Sequence, residues 1–167
     1  MTKRIATTGR VLGIVALLGA GACAALGTGS EDATLLGIGD PCIVGDEAFA
    51  EFSGFSEHEV NIEDGGSCGT SSVCLVHDFR GRATCPSGQV SADEGGCLTT
   101  EGEPVVVPVQ PQLPDRPADV GMVCSCRCDG PDPDASYCQC PSGMRCEELI
   151  RSGSGRDDRY TGSYCIY

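Results

Sequence analysis

The sequence predicts a small disulfide-rich, mainly β protein: short strands and hairpins with long loops, and little helix outside an N-terminal signal peptide. Three observations carry that reading. The chain of 167 residues holds 13 cysteines, six of them between Cys124 and Cys146. It has no Trp and only four Phe and four Tyr against 24 Gly, so the aromatic side chains that usually dominate core burial are scarce. Its apolar residues alternate with polar ones over short runs that Gly and Pro interrupt, as in Glu59-Val60-Asn61-Ile62-Glu63, which is the signature of half-buried strands. A thin core of this kind needs covalent help, and disulfides at about 2–4 kcal/mol each supply it.

The N-terminus reads as an export signal. Lys3, Arg4 and Arg10 form a basic region, and Val11 to Ala22 is an apolar Gly/Ala-rich run. That run is shorter than the roughly 20 apolar residues a membrane helix needs. Residues 1–22 are therefore expected to be removed. The motif Ala20-Gly21-Ala22-Cys23 resembles the lipobox of bacterial lipoprotein signal peptides, although Ala20 stands where Leu is commonest. The resemblance implies lipidation of Cys23 and an anchor in the cell envelope. Ala24, in place of an Asp, leans that anchor towards the outer membrane. The same Ala20-Gly21-Ala22 also fits an ordinary cleavage site, which leaves secretion without an anchor as the alternative. Parity favours the anchor: 13 cysteines less Cys23 leave Cys42, Cys68, Cys74, Cys85, Cys97, Cys124, Cys126, Cys128, Cys138, Cys140, Cys146 and Cys165, an even set for disulfides.

Loss of residues 1–22 removes three basic side chains and no acidic one, leaving eight Arg, no Lys and 24 acids, a formal charge of −16. Nucleic-acid binding needs a basic footprint and is excluded on that ground. A polybasic grip on anionic lipid is excluded for the same reason, so the membrane is a partner only through the lipid. A basic protein or a cation is the kind of further partner that such a charge would suit.

Along the chain, residues 23–40 read as a Gly-rich tether, with Leu35, Leu36 and Ile38 able to dock as a first strand. Residues 41–100 form an N-terminal cysteine-rich half. Phe49, Phe52 and Phe55 are spaced as one apolar stripe of a short helical turn, expected to join the core. Strands are expected at 59–63, 72–77 and 83–85, the last stopped by Pro86. Residues 101–120, punctuated by Pro104, Pro108, Pro111, Pro114 and Pro117, are an extended connector. Residues 121–167 form the C-terminal cysteine-rich half, with strands at 124–128, 137–140 and 164–167 and a strand or helical turn at 146–150.

The two halves hold five and seven cysteines. Both counts are odd, so full pairing requires at least one bridge between them. Cysteines two apart diverge from disulfide geometry, so Cys124, Cys126 and Cys128 each seek a separate distant partner. A hairpin of 124–128 with 137–140 would bring Cys128 to Cys138 and Cys126 to Cys140.

Chemistry beyond disulfides finds little purchase. Zinc and iron–sulfur sites favour reduced thiolates at Cys-x2-Cys spacing, which is absent. Asp129, Asp132 and Asp134 share one loop and are weak metal candidates for calcium, but Pro131 and Pro133 stiffen it and no EF-hand pattern surrounds them. His58 and His77 are lone histidines. No nucleophile elbow, zinc-protease helix, redox Cys-x-x-Cys, haem site or phosphate loop is present. The expectation is a non-enzyme without a cofactor.

The segments Cys74-Leu-Val-His-Asp-Phe-Arg-Gly-Arg-Ala-Thr-Cys85-Pro86, Cys124-Ser-Cys-Arg-Cys128, Tyr137-Cys-Gln-Cys-Pro-Ser-Gly143 and Gly162-Ser-Tyr-Cys165 together resemble a group of cysteine-rich predicted lipoproteins of unknown function from myxobacteria and their relatives. That resemblance covers most of residues 68–167 and implies class and location: an exported, lipid-anchored, structural or binding module of the cell envelope.

Overall fold

The computed structural model describes residues 36–85, 96–155 and 157–167. Within them the chain builds two three-stranded antiparallel sheets. The first has the order β1-β2-β3, with β1 Asn61–Asp64, β2 Val73–Val76 and β3 Met122–Ser125. The second has the order β4-β6-β5, with β4 Arg127–Asp129, β5 Arg145–Ile150 and β6 Gly162–Ile166. Among the described residues, helix is limited to one α turn, Ala118–Gly121, and 3-10 turns at Gly45–Ala48, Gly66–Cys68 and Asp158–Tyr160. The mainly β, disulfide-rich class read from the sequence is the class observed.

Alternation explains the first sheet. On the central strand β2, Cys74 and Val76 point into a cluster with Cys42, Val44, Phe55, Cys68, Phe79, Met122 and Cys124. Leu75 faces the other way, against Ile150, Tyr164 and Ile166 of the second sheet. Successive strand residues point to opposite faces, so one four-residue strand serves two cores. β1 is the expected 59–63 strand shifted to 61–64, where Gly65 and Gly66 take positive φ of 75° and 62° and turn the chain away. The outer edge of β3 is covered by the chain before it: Gly39 donates to the Cys124 carbonyl at 2.8 Å, Cys124 to Asp40 at 2.8 Å, and Cys42 to Met122 at 3.1 Å. Leu36, too, is docked, with its amide on the Ser67 carbonyl at 2.8 Å. Leu35 lies outside the described residues.

At Cys126 the chain leaves one sheet and enters the other. The stretch 124–128 is thus not a single strand. Ser125 Oγ donates to the Cys165 carbonyl at 2.8 Å, and the Cys165 amide donates to the Cys126 carbonyl at 3.2 Å. The expected hairpin of 124–128 with 137–140 is not formed. Residues 137–140 contribute one backbone bond to β4, Cys138 to the Arg127 carbonyl at 3.1 Å. The ladder of β4 goes to β6, which arrives at Gly162 as a longer strand. The closing strand expected at 164–167 is β6, and the 146–150 segment is the strand β5.

Two further expectations are corrected. Ala83–Cys85 forms bends, because the amides of Ala83 and Thr84 donate to a buried carboxylate rather than to a strand. The Phe stripe splits. The helical turn ends at Ala48, upstream of the stripe, and the backbone at Phe49 is extended. Phe55 is buried with Phe52 edge-on against it at 4.8 Å, while Phe49 is 61% exposed.

The Pro-rich residues pack on the first half while joining it to the second. Val105 and Val109 are buried against Cys85 and Cys97. Gln112 Nε2 donates to the carbonyls of Arg82 (2.7 Å) and Cys85 (3.1 Å), and Arg80 Nε donates to Pro111 at 3.0 Å. Gly81 makes this approach possible. Its φ is 92°, and a Cβ there would stand 2.4 Å from the Gln110 carbonyl oxygen, so a side chain would meet both strain and a clash.

Candidate functional site: the cysteine framework

All twelve cysteines from Cys42 onwards are in disulfides: Cys42–Cys74, Cys68–Cys124, Cys85–Cys97, Cys126–Cys138, Cys128–Cys146 and Cys140–Cys165. Cys124, Cys126 and Cys128 each find a separate distant partner, as the Cys-x-Cys geometry requires. The pairings that a hairpin would impose are overturned. Cys126 takes Cys138, Cys128 takes Cys146, and Cys140 takes Cys165, because β4 pairs with β6. Parity demanded a bridge from the first half to the second, and Cys68–Cys124 provides it.

The topology of the bridges has a simple form. Cys42–Cys74, Cys68–Cys124 and Cys85–Cys97 overlap or nest within residues 42–124. The other three interlock within residues 126–165. No disulfide spans Ser125. The covalent division therefore coincides with the point where the chain changes sheets, and Cys124 belongs to the first block.

Within each block the sulfurs gather. Sγ atoms of Cys42, Cys68 and Cys124 lie within 4.8 Å of one another, as do those of Cys126, Cys138 and Cys165, and those of Cys128, Cys140 and Cys146. Each group is one disulfide with a sulfur of a second beside it. Among the described residues, only cysteines assemble in threes at such distances. Oxidised sulfur carries no thiolate charge, so these groups are not metal ligands in this state. The acids proposed for calcium are used locally and are not brought to one point. Asp129 Oδ1 accepts the Gly130 amide at 2.8 Å, and Asp132 Oδ1 accepts the Asp134 amide at 3.0 Å. All three are exposed.

A buried ion pair that the sequence did not disclose supports the first block. Glu47 and Arg82 are both 0% exposed, with Arg82 Nε 3.3 Å from Glu47 Oε2. Arg82 donates to the carbonyls of Glu47 (2.6 Å), Phe49 (2.9 Å) and Phe52 (2.7 Å) and to Thr84 Oγ1 (3.2 Å). Glu47 accepts from the Ala83 and Thr84 amides and the Thr84 hydroxyl. Buried charge is tolerable only with such complete pairing. Burial pushes the Arg82 guanidinium down from its ordinary value and Glu47 opposes that shift. In the sequence Arg82 looks like one of two turn residues flanking Gly81. Its burial depends on three carbonyls that only the folded chain collects.

The histidines part ways. His58 is exposed. His77 is half-buried, and its Nδ1 lies 3.5 Å from Asp78 Oδ2 without forming a hydrogen bond. Burial lowers its pKa and Asp78 partly opposes this. A mainly polar surface cleft of about 360 Å³ is lined by Asp64, Ser71, Ser72, Arg127, Arg159 and Tyr160 among others. Its charges are mutually satisfied: Tyr160 donates to Asp64 at 2.9 Å, Arg159 pairs with Asp64 (3.5 Å) and Asp157 (2.9 Å), and Arg127 holds the carbonyls of Arg159 and Thr161.

Six disulfides are a framework that persists in oxidising, extracytoplasmic surroundings, and among the described residues no helix is long and apolar enough to cross a membrane. Compared with known proteins, the chain matches no family model, no curated protein and no solved structure.

Proposed function

We propose that the chain is a lipid-anchored, exported protein of the bacterial cell envelope, held on the outer membrane through Cys23, whose mature part is a rigid acidic module with a structural or binding role and no catalytic one. The observation that carries this reading is cysteine accounting. Thirteen cysteines are present and twelve pair among themselves, so Cys23 is the one with no partner in the chain. It stands at the signal-peptide junction, where a thioether-linked diacylglycerol supplies the multiple acyl chains that stable anchoring needs. The mature surface has no Lys and a formal charge of −16, which suits a basic partner in the envelope rather than a nucleic acid.

Fractionation of cells expressing Cys23→Ser tests the anchor. The expected result is transfer of the protein from the membrane fraction to the soluble periplasm or medium. Unchanged membrane association overturns it, and soluble wild-type protein points to plain secretion.

A further inference from the structure

We propose that the three disulfides of the C-terminal block form a thiol–disulfide exchange relay, entered at the solvent-facing Cys128–Cys146 bond by an exported dithiol and ending at the Cys126–Cys138 bond, whose Cys126 is buried and Cys138 half-buried. This goes beyond the module reading and does not depend on the anchor.

The geometry is a row of three bonds lying side by side. Cys146 is exposed and Cys128 half-buried, so an external thiol can reach the first bond. The Cys140 sulfur lies within 4.8 Å of both. Cys140 is bonded to Cys165, which is fully buried. The Cys165 sulfur is in turn 3.8 Å from Cys138 Sγ and 3.9 Å from Cys126 Sγ. Each sulfur in the row therefore has a sulfur of the next bond close to contact. Exchange occurs by attack of a thiolate on a disulfide sulfur, and here the nucleophile and its target are held by the same ladder.

The chemistry balances. One thiolate of the incoming dithiol attacks Cys146 Sγ; a mixed disulfide forms, the Cys128–Cys146 bond breaks, and Cys128 leaves as a thiolate. The second thiol of the dithiol loses its proton to water and displaces Cys146. The dithiol departs as its own disulfide, oxidised by two electrons, and Cys128 and Cys146 are reduced by two. A thiolate of Cys128 or Cys146 then attacks Cys140 and expels Cys165 as thiolate. Cys165 attacks Cys126 or Cys138 and expels the other. These internal steps move no net electrons. The block keeps two disulfides and two thiols: one thiol stays at the entry, on whichever of Cys128 and Cys146 did not attack, and the other passes to Cys126 or Cys138, where the chain changes sheets.

The first block provides an internal comparison. Cys42, Cys68 and Cys124 are equally close, but Cys42, Cys68, Cys74 and Cys124 are all buried, which denies a dithiol any entry.

The folded protein is treated with one equivalent of dithiothreitol, quenched in acid at intervals, labelled with N-ethylmaleimide and mapped by mass spectrometry. Label is expected first at Cys128 and Cys146, then at Cys165, then at Cys126 or Cys138, with Cys140 and with Cys42, Cys68, Cys74 and Cys124 unlabelled. Label confined to Cys128 and Cys146, or reaching all six cysteines of the block at once, overturns the relay. In the variant Cys128→Ser/Cys146→Ser, label at Cys165 and Cys126 is expected to fall by about tenfold because the attacking thiolate is gone. Unchanged labelling of those two in a folded variant overturns the proposal. Should that variant not fold, the order of labelling in the wild-type protein decides.

Discussion

Cys146 and Cys165 stand directly opposite each other on β5 and β6, yet neither is bonded to the other. Cys146 bonds Cys128 and Cys165 bonds Cys140. Cys74 and Cys124 repeat the arrangement on β2 and β3, bonding Cys42 and Cys68. A bond across either rung would close a loop that the ladder's hydrogen bonds already close. Directing each sulfur to a third segment instead ties two further pieces of chain to the same rung, which explains why the sulfurs of different disulfides lie side by side.

The Glu47–Arg82 pair is expected to be costly to break and cheap to replace. Arg82→Met leaves a buried carboxylate without its cation and should lower stability by about 3–5 kcal/mol. The double variant Glu47→Leu/Arg82→Met should recover a large part of that loss, since it removes both charges at once. Urea unfolding of the two variants checks this; a double variant no more stable than the single one would show that the carbonyls and amides left behind dominate.

Removing the bridge between the halves with Cys68→Ala/Cys124→Ala frees a loop with a sequence separation of 56. Chain entropy puts the cost near about 4 kcal/mol. Chemical denaturation under non-reducing conditions would read it, and the second block should keep its three bonds on peptide mapping because none of them reaches across Ser125.

Gly81→Ala places a methyl group against the Gln110 carbonyl and holds a non-glycine residue at φ 92°. A loss of about 2 kcal/mol is expected from strain of that kind. Gly143→Ala, where φ is 93° but the space is open, should cost less. A ranking in the other order, measured by thermal melting, would mean that the approach of the Pro-rich segment to Gly81 is easily relaxed.

His77 gives a pH signature. Its folded pKa is lowered by burial, so the unfolded chain binds the proton more readily. The stability this contributes is complete above the unfolded value of about 6.5 and is lost as pH falls through the folded value. His77→Gln should therefore flatten the decline in melting temperature below pH 6.5 relative to wild type. Parallel declines in the two proteins would remove His77 from the account.

What was legible in the sequence was what local pattern controls. Local pattern located β1, β2 and β6 to within a few residues and left β5 open between a strand and a helical turn, and the odd cysteine counts required the Cys68–Cys124 type of bridge before any pairing was known. The pairings within the second half were not legible, because they depend on β4 choosing β6 over the nearer residues 137–140. Glu47 and Arg82 were hidden for a related reason. Neither has a local signal for burial, and the groups that satisfy them lie some 35 residues apart along the chain. Phe49 was misplaced because the helical turn stops one residue before it.

The division at Ser125 also bears on how the protein withstands proteases. Between Cys42 and Cys165, a cut in either block leaves its fragments joined by at least one disulfide. Only cleavage between Cys124 and Cys126 would yield two separable pieces without a reductant. Ser125 is 0% exposed, and the residues beside it are buried as well, so the single scissile station in the covalent network is also one that a protease cannot reach while the protein is folded.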